Sequence, residues 1–133
     1  MMPNNAYQAY QNNAINTASS GELTLMLYNG CVKFIKRAMK DIEAKDYENK
    51  NKNIQKAQRI IQELMITLDP QVELSKQMLP LYDYMHHRLT EANIKNNNTY
   101  LKEVLEYVIE FRETWKQVLQ KTKQTEPPLE GIK

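Results

Sequence analysis

The stretch from Ser19 to Glu43, SSGELTLMLYNGCVKFIKRAMKDIE, decides the fold. Within it Leu23, Leu27, Cys31, Phe34, Ala38 and Ile42 recur at steps of three and four, the spacing of one face of an α-helix. Ser19 and Glu22 have the spacing of a capping box, in which each side chain satisfies a free backbone N–H of the other residue. A second stripe, Leu25, Tyr28, Val32, Ile35 and Met39, runs beside the first, turned by about 100°. Met26 widens it further. A helix apolar around this much of its girth needs cover on more than one side. Either it is the central helix of a bundle and buries both stripes, or it keeps one stripe for a partner.

Outward from this helix the pattern repeats three times. Ala44, Lys45 and Asp46 form a short connection, with Asp46 placed to cap a helix carrying Tyr47, Ile54, Ala57, Ile61, Leu64 and Leu68. Asp69-Pro70 ends that helix and is placed to start a third, because a first turn has no use for the N–H that proline lacks. The third helix carries Leu74, Met78, Leu81, Tyr82, Met85, Leu89 and Ala92. Pro80 lies inside it, removing the bond to the Lys76 carbonyl and predicting a bend. Asn96, Asn97 and Asn98 make a turn and cap cluster before a fourth helix with Leu101, Val104, Val108, Phe111, Trp115 and Val118.

The expected helices span about 19–43, 46–68, 70–95 and 98–121. Short connections force consecutive helices to run antiparallel, so the spacing predicts an all-α, up-down-up-down four-helix bundle. Residues 1–18 read as a flexible N-terminal segment, and 122–133, with Pro127-Pro128, as a disordered tail.

Composition agrees. A chain of 133 residues holds one core, and three glycines and five prolines are few enough for helix throughout. A net charge of +2 with the signs interspersed gives no field that recruits nucleic acid or membrane. The lone Cys31 fits a reducing compartment, and the Asn- and Gln-rich start lacks the basic-then-apolar order of a secretory signal. A cytoplasmic protein is expected.

Reaction chemistry is missing. Asp83, His87 and Glu91 share one helix face that could touch a metal, but the face points away from the apolar stripe and has no second ligand cluster, so a solvated, salt-bridged surface is the better reading. Cys31 lies on the apolar stripe, as a packing thiol does. Gly21, Gly30 and Gly131 make no phosphate loop. Lys45, Lys50, Lys52, Lys56 and Arg59 form the most basic stretch, diluted by Glu43, Asp46 and Glu48, and read as a solvated face before a nucleic-acid footprint. No enzyme, cofactor or metal is expected.

Surplus apolar surface is present instead. Ile66, Leu79, Tyr84, Tyr100, Tyr107 and Ile109 fall off the core stripes, and eight tyrosines against one tryptophan and two phenylalanines favour an interface residue with area and a polar tip. The candidate partner surface is Leu25, Tyr28, Val32, Ile35 and Met39, with Ile66, Tyr84 and Tyr107. Gly30, mid-helix, leaves room either for a partner's backbone or for tight packing inside the bundle. Tyr7, Tyr10 and Ile15 in the N-terminal segment are candidates to lie on the second stripe and leave when a partner arrives.

These residues carry a resemblance. Ala6-Tyr7-Gln8-Ala9-Tyr10-Gln11, Asn16-Thr17-Ala18-Ser19, and Gly21 through Gly30 (GELTLMLYNG) are similar to the N-terminal signature of the FliS family of flagellar secretion chaperones. Ala57 to Leu64, Leu81 to Met85 with Arg88-Leu89 and Ala92-Asn93, and Phe111 to Trp115 resemble that family's later helices, most closely in its Bacillus-like members. The likeness runs from about Ala6 to Gln120 in order. It implies an antiparallel bundle that binds the C-terminal segment of new flagellin, keeps it from polymerising in the cytoplasm, and passes it to the type III export gate, where the cytoplasmic domain of FlhA receives the complex. It also implies that the N-terminal segment covers part of the flagellin site. Two positions depart from the pattern: Ser20 stands where proline is common, and Pro80 interrupts helix three. A helical adaptor for another amphipathic partner is the alternative.

Overall fold

The computed structural model describes residues 20–125, with side chains placed for 21–121. Four helices form: α1 Ser20–Glu43, α2 Tyr47–Ile66, α3 Glu73–Lys95 and α4 Asn98–Thr125. Each packs on its two neighbours, α1 on α2, α2 on α3, α3 on α4 and α4 back on α1, closing a four-sided ring. Every pairing is antiparallel. Along α1 and α4, for example, Asn98 Nδ2 donates to the Met39 carbonyl, Arg112 bonds Asn29, and Trp115 Nε1 donates to the Gly21 carbonyl.

The turns follow local chemistry. Asp46 accepts the Asn49 N–H at 3.2 Å and caps α2, after Lys45 takes up a left-handed conformation. Asn96, at φ 50°, ends α3, while the Asn97 carboxamide accepts the N–H groups of Thr99 and Tyr100 and starts α4. The Ser19 capping box lies outside the described residues.

Two boundaries differ from expectation. Pro70 does not open α3: Asp69 takes the Gln71 N–H into a side-chain turn, Val72 is extended, and the helix begins at Glu73. At the other end α4 runs on to Thr125, past the predicted break at 122. No residue there stops a helix before Pro127, which disfavours helical geometry only in the residue preceding it. Through Pro80, α3 continues as helix.

The core is filled by Cys31, Ile35, Ile54, Ile61, Leu89, Leu101, Val104 and Val108, all fully buried. Burying each large aliphatic side chain stabilises the fold by roughly 1.5–3 kcal/mol. The core is not centred in the bundle. Toward the end where α1 starts and α4 finishes, burial of apolar side chains begins only at Leu27 on α1 and Tyr82 on α3, and ceases after Leu64 on α2 and Val108 on α4.

Candidate functional site

The second stripe of α1 does not form a free surface, and this corrects the partner-facing alternative. Tyr28, Val32 and Ile35 are buried in the core, while Leu25 and Met39 are half-buried. The ring supplies cover from three directions: α2 and α4 flank α1, and Tyr28 reaches across to bond the Tyr82 hydroxyl on α3. Gly30 serves this packing, since a Cβ there would stand 3.1 Å from Ile60 Cδ1 on α2. Its missing side chain admits a neighbouring helix of the same chain.

Most exposed apolar residues gather elsewhere, at the end of the bundle opposite Tyr47 and Ile94. Ile66 is 81% exposed, Leu74 59% and Leu81 40%, and Val72, Leu79 and Val118 are exposed at the same end of the bundle. The spacing expected Leu74, Leu81 and Val118 in the core. Periodicity reports which side of a helix is apolar, not how far along it a neighbour follows.

Register shows how they face one another. Arg88 Nε of α3 pairs with Glu103 of α4 at 2.8 Å, the Tyr84 hydroxyl donates to the same carboxylate, and the Tyr84 and Tyr107 rings meet edge to face at 6.3 Å. Farther along, Tyr82 meets Phe111, and the same antiparallel order runs the first turns of α3, with Leu74, Met78 and Leu81, beside the later turns of α4, with Trp115 and Val118. Phe111 and Trp115 are half-buried against the core, so they form the floor of an apolar seam whose α3 rim stands open. Met78, also half-buried, packs against the core from α3.

The seam has a rigid inner end. Tyr107 leans on Phe111, and Phe111 meets Tyr82 edge-on at 6.1 Å, joining the seam to the buried Tyr28–Tyr82 pair. The Arg88 guanidinium lies 4.1 Å from the Tyr100 ring centroid and also pairs with Glu91. The Tyr84 hydroxyl and then Arg88 hold the Glu103 carboxyl below its ordinary range. Trp115 is anchored by its indole N–H on the Gly21 carbonyl at 2.8 Å. An apolar floor with fixed aromatics and an unpartnered rim suits an amphipathic helix laid into a groove.

Of the predicted partner residues, Tyr84 and half-buried Tyr107 come together at the seam, and Ile66 stands exposed at its end of the bundle. The seam residues Leu74, Leu81, Phe111, Trp115 and Val118 carry in the sequence only the spacing of core positions. Tyr7, Tyr10 and Ile15 lie outside the described residues. Asp83 and His87 are exposed and Glu91 pairs with Arg88; among the described residues no group of three His, Cys, Asp or Glu side chains is placed to hold a metal. No helix among them is long and apolar enough to cross a membrane.

An antiparallel four-helix bundle with an apolar seam open at one end is the class these features define. The chain belongs to the FliS family: the model of "Flagellar protein FliS" matches residues 3–122. It is 58% identical to the flagellar secretion chaperone FliS of Bacillus subtilis (strain 168) over 116 residues, 87% of each chain. The corresponding proteins of Campylobacter jejuni and Escherichia coli (strain K12) are 32% and 30% identical, over 89% and 80% of this chain and 94% and 80% of theirs. A solved structure described as a flagellar chaperone from bacteria has the same fold, with a TM-score of 0.72 at 18% identity, covering 88% of this chain and 97% of that one.

Proposed function

We propose that the chain is an export chaperone that holds the C-terminal segment of flagellin in the cytoplasm, prevents its premature polymerisation, and delivers it to the cytoplasmic domain of the FlhA export gate. Family membership supports the export-chaperone role. The observation that carries the binding mode is the open seam, where Leu74, Leu81 and Val118 stand exposed at the end of the bundle that holds half-buried Phe111 and Trp115. An amphipathic client segment would set its apolar face there and bury the rim. Coupled folding of this kind typically buries ~1,000–3,000 Å² and gives back several kcal/mol in ordering the client, which keeps the complex releasable.

Titration with the flagellin C-terminal segment tests this. The client should gain helix by circular dichroism, and the emission of the single tryptophan, Trp115, should shift to the blue as the seam is covered. Leu74→Asp and Leu81→Asp change exposed positions and should leave the melting temperature nearly unchanged while weakening binding about tenfold or more. Normal binding by both folded variants would exclude the seam. The same reading gives Tyr7, Tyr10 and Ile15 the task of covering apolar surface until the client arrives. Removal of residues 1–17 should then raise binding of an apolar dye, and unchanged dye binding would count against it.

A further inference from the structure

The basic residues of α2 acquire a new meaning once α1 is placed beside them. Lys50 leaves the cluster altogether: it is 5% exposed, and its ammonium donates to the Asn93 carbonyl and to Asn96 Oδ1 at the end of α3. Lys52 pairs with Glu48. Lys56, by contrast, is joined from α1 by Lys33 and Arg37. The three cationic groups lie 5.3, 4.7 and 5.8 Å from the centroid of one ring, that of Phe34.

None of the three forms an ion pair among the described residues. Asp41, one turn beyond Arg37, is bonded by Asn53 Nδ2 at 2.7 Å. A cation–ring contact that is not desolvated is a weak attraction. Sharing one ring, the three cations also act on one another. Desolvation and then the charges of Arg37 and Lys56 lower the affinity of Lys33 for its proton. Lys52, Arg88, Arg112 and Lys116 each have a carboxylate partner. Here like charges are brought together by two helices and left uncompensated.

We infer that the α1–α2 face is a docking surface for a carboxylate-rich polypeptide segment, centred on Lys33, Arg37 and Lys56 around Phe34. Lys36, Lys40 and Arg59 lie one turn from these residues and extend the positive field. The border is acidic: Asp41 and Glu43 close it on α1, Glu48 and Glu63 on α2. A duplex or an anionic bilayer continues past any small patch and would meet those carboxylates, whereas a short acidic segment ends inside them. This surface is separate from the α3–α4 seam, and its test does not depend on flagellin.

The full chain should be titrated with a short fluorescein-labelled poly-glutamate peptide, following anisotropy at low and at physiological salt. Binding should be salt-sensitive and fall about tenfold in Lys33→Gln/Arg37→Gln/Lys56→Gln, the loss expected of three weak, screened charge pairs. Lys95→Gln/Lys102→Gln/Lys116→Gln, which removes the same charge from α3 and α4, should bind as the parent does. Circular dichroism would establish that both variants stay folded. No binding of the peptide at low salt, or equal loss in the two variants, would overturn the inference. So would tighter binding of a DNA duplex or of phosphatidylglycerol vesicles through the same three residues.

Discussion

Tyr28 of α1 and Tyr82 of α3 bond hydroxyl to hydroxyl across the middle of the bundle, joining two helices whose backbones never come close. Both side chains are buried, so each hydroxyl depends on the other for its partner.

Removing both hydroxyls should therefore cost less than the sum of removing each alone. Tyr28→Phe or Tyr82→Phe leaves one buried hydroxyl unsatisfied and should lower stability by about 1–3 kcal/mol, whereas the double variant should lose less than the two singles together. Urea unfolding of the four proteins measures this. Strict additivity would show that the two hydroxyls do not rely on one another.

Burial also governs the alkaline side of stability. It pushes the Cys31 thiol up to about 12 and raises both Tyr28 and Tyr82. These acids hold their protons longer folded than unfolded. Their contribution is complete below the ordinary thiol and phenol range, and it declines as pH climbs through that range and on toward the folded values. Stability should be flat from neutrality to about pH 8 and fall steadily above about 9. Cys31→Ala/Tyr28→Phe/Tyr82→Phe should flatten that decline, and native Cys31 should react with a thiol reagent only at the rate at which the protein opens.

Glu103 titrates in the opposite sense. Its carboxyl is held low by the Tyr84 hydroxyl and by Arg88, so its stabilisation is present at neutral pH and is lost as pH falls below the ordinary carboxylate range. In carbon-detected NMR, Tyr84→Phe and Arg88→Gln should each move its midpoint upward. A midpoint indifferent to both changes would mean the network seen at the seam does not persist in solution.

Lys50 should behave as a structural residue, unlike the exposed lysines around it. Lys50→Ala deprives the Asn93 carbonyl of its ammonium donor near the end of α3 and should cost about 1–3 kcal/mol. The neighbouring Lys52→Ala should cost under about 1 kcal/mol, as the loss of an exposed ion pair does. Equal losses would show that Lys50 is hydrated and not capping α3.

Most of the architecture was legible from residue spacing. Asp46, Asn96 and Asn97 each end or begin a helix with the side chain or the left-handed conformation that their type favours. Two things were not legible. Whether the Tyr28–Ile35 stripe of α1 faced core or partner depended on which helices surround it, and that is set by the ring closing through α4. The seam was hidden because Leu74 and Leu81 obey the same period as Met85 and Leu89, which are buried. A repeat of threes and fours cannot tell where the neighbouring helix stops covering it. The basic surface divides the same way: Lys56 lies on a sequence-local run, but Lys33 and Arg37 come from another helix.

The bond from the Trp115 indole to the Gly21 carbonyl joins the first turns of α1 to the last turns of α4. During synthesis the most apolar helix is therefore the first to leave the ribosome and the last to be closed over. Its flank toward α4 waits, uncovered, while more than two further helices are translated, an interval of several seconds at ~5–20 residues per second. A nascent chain stalled before α4 would present that flank to cellular quality control, so translation pauses in the second half of the message should lower the yield of folded protein more than pauses in the first.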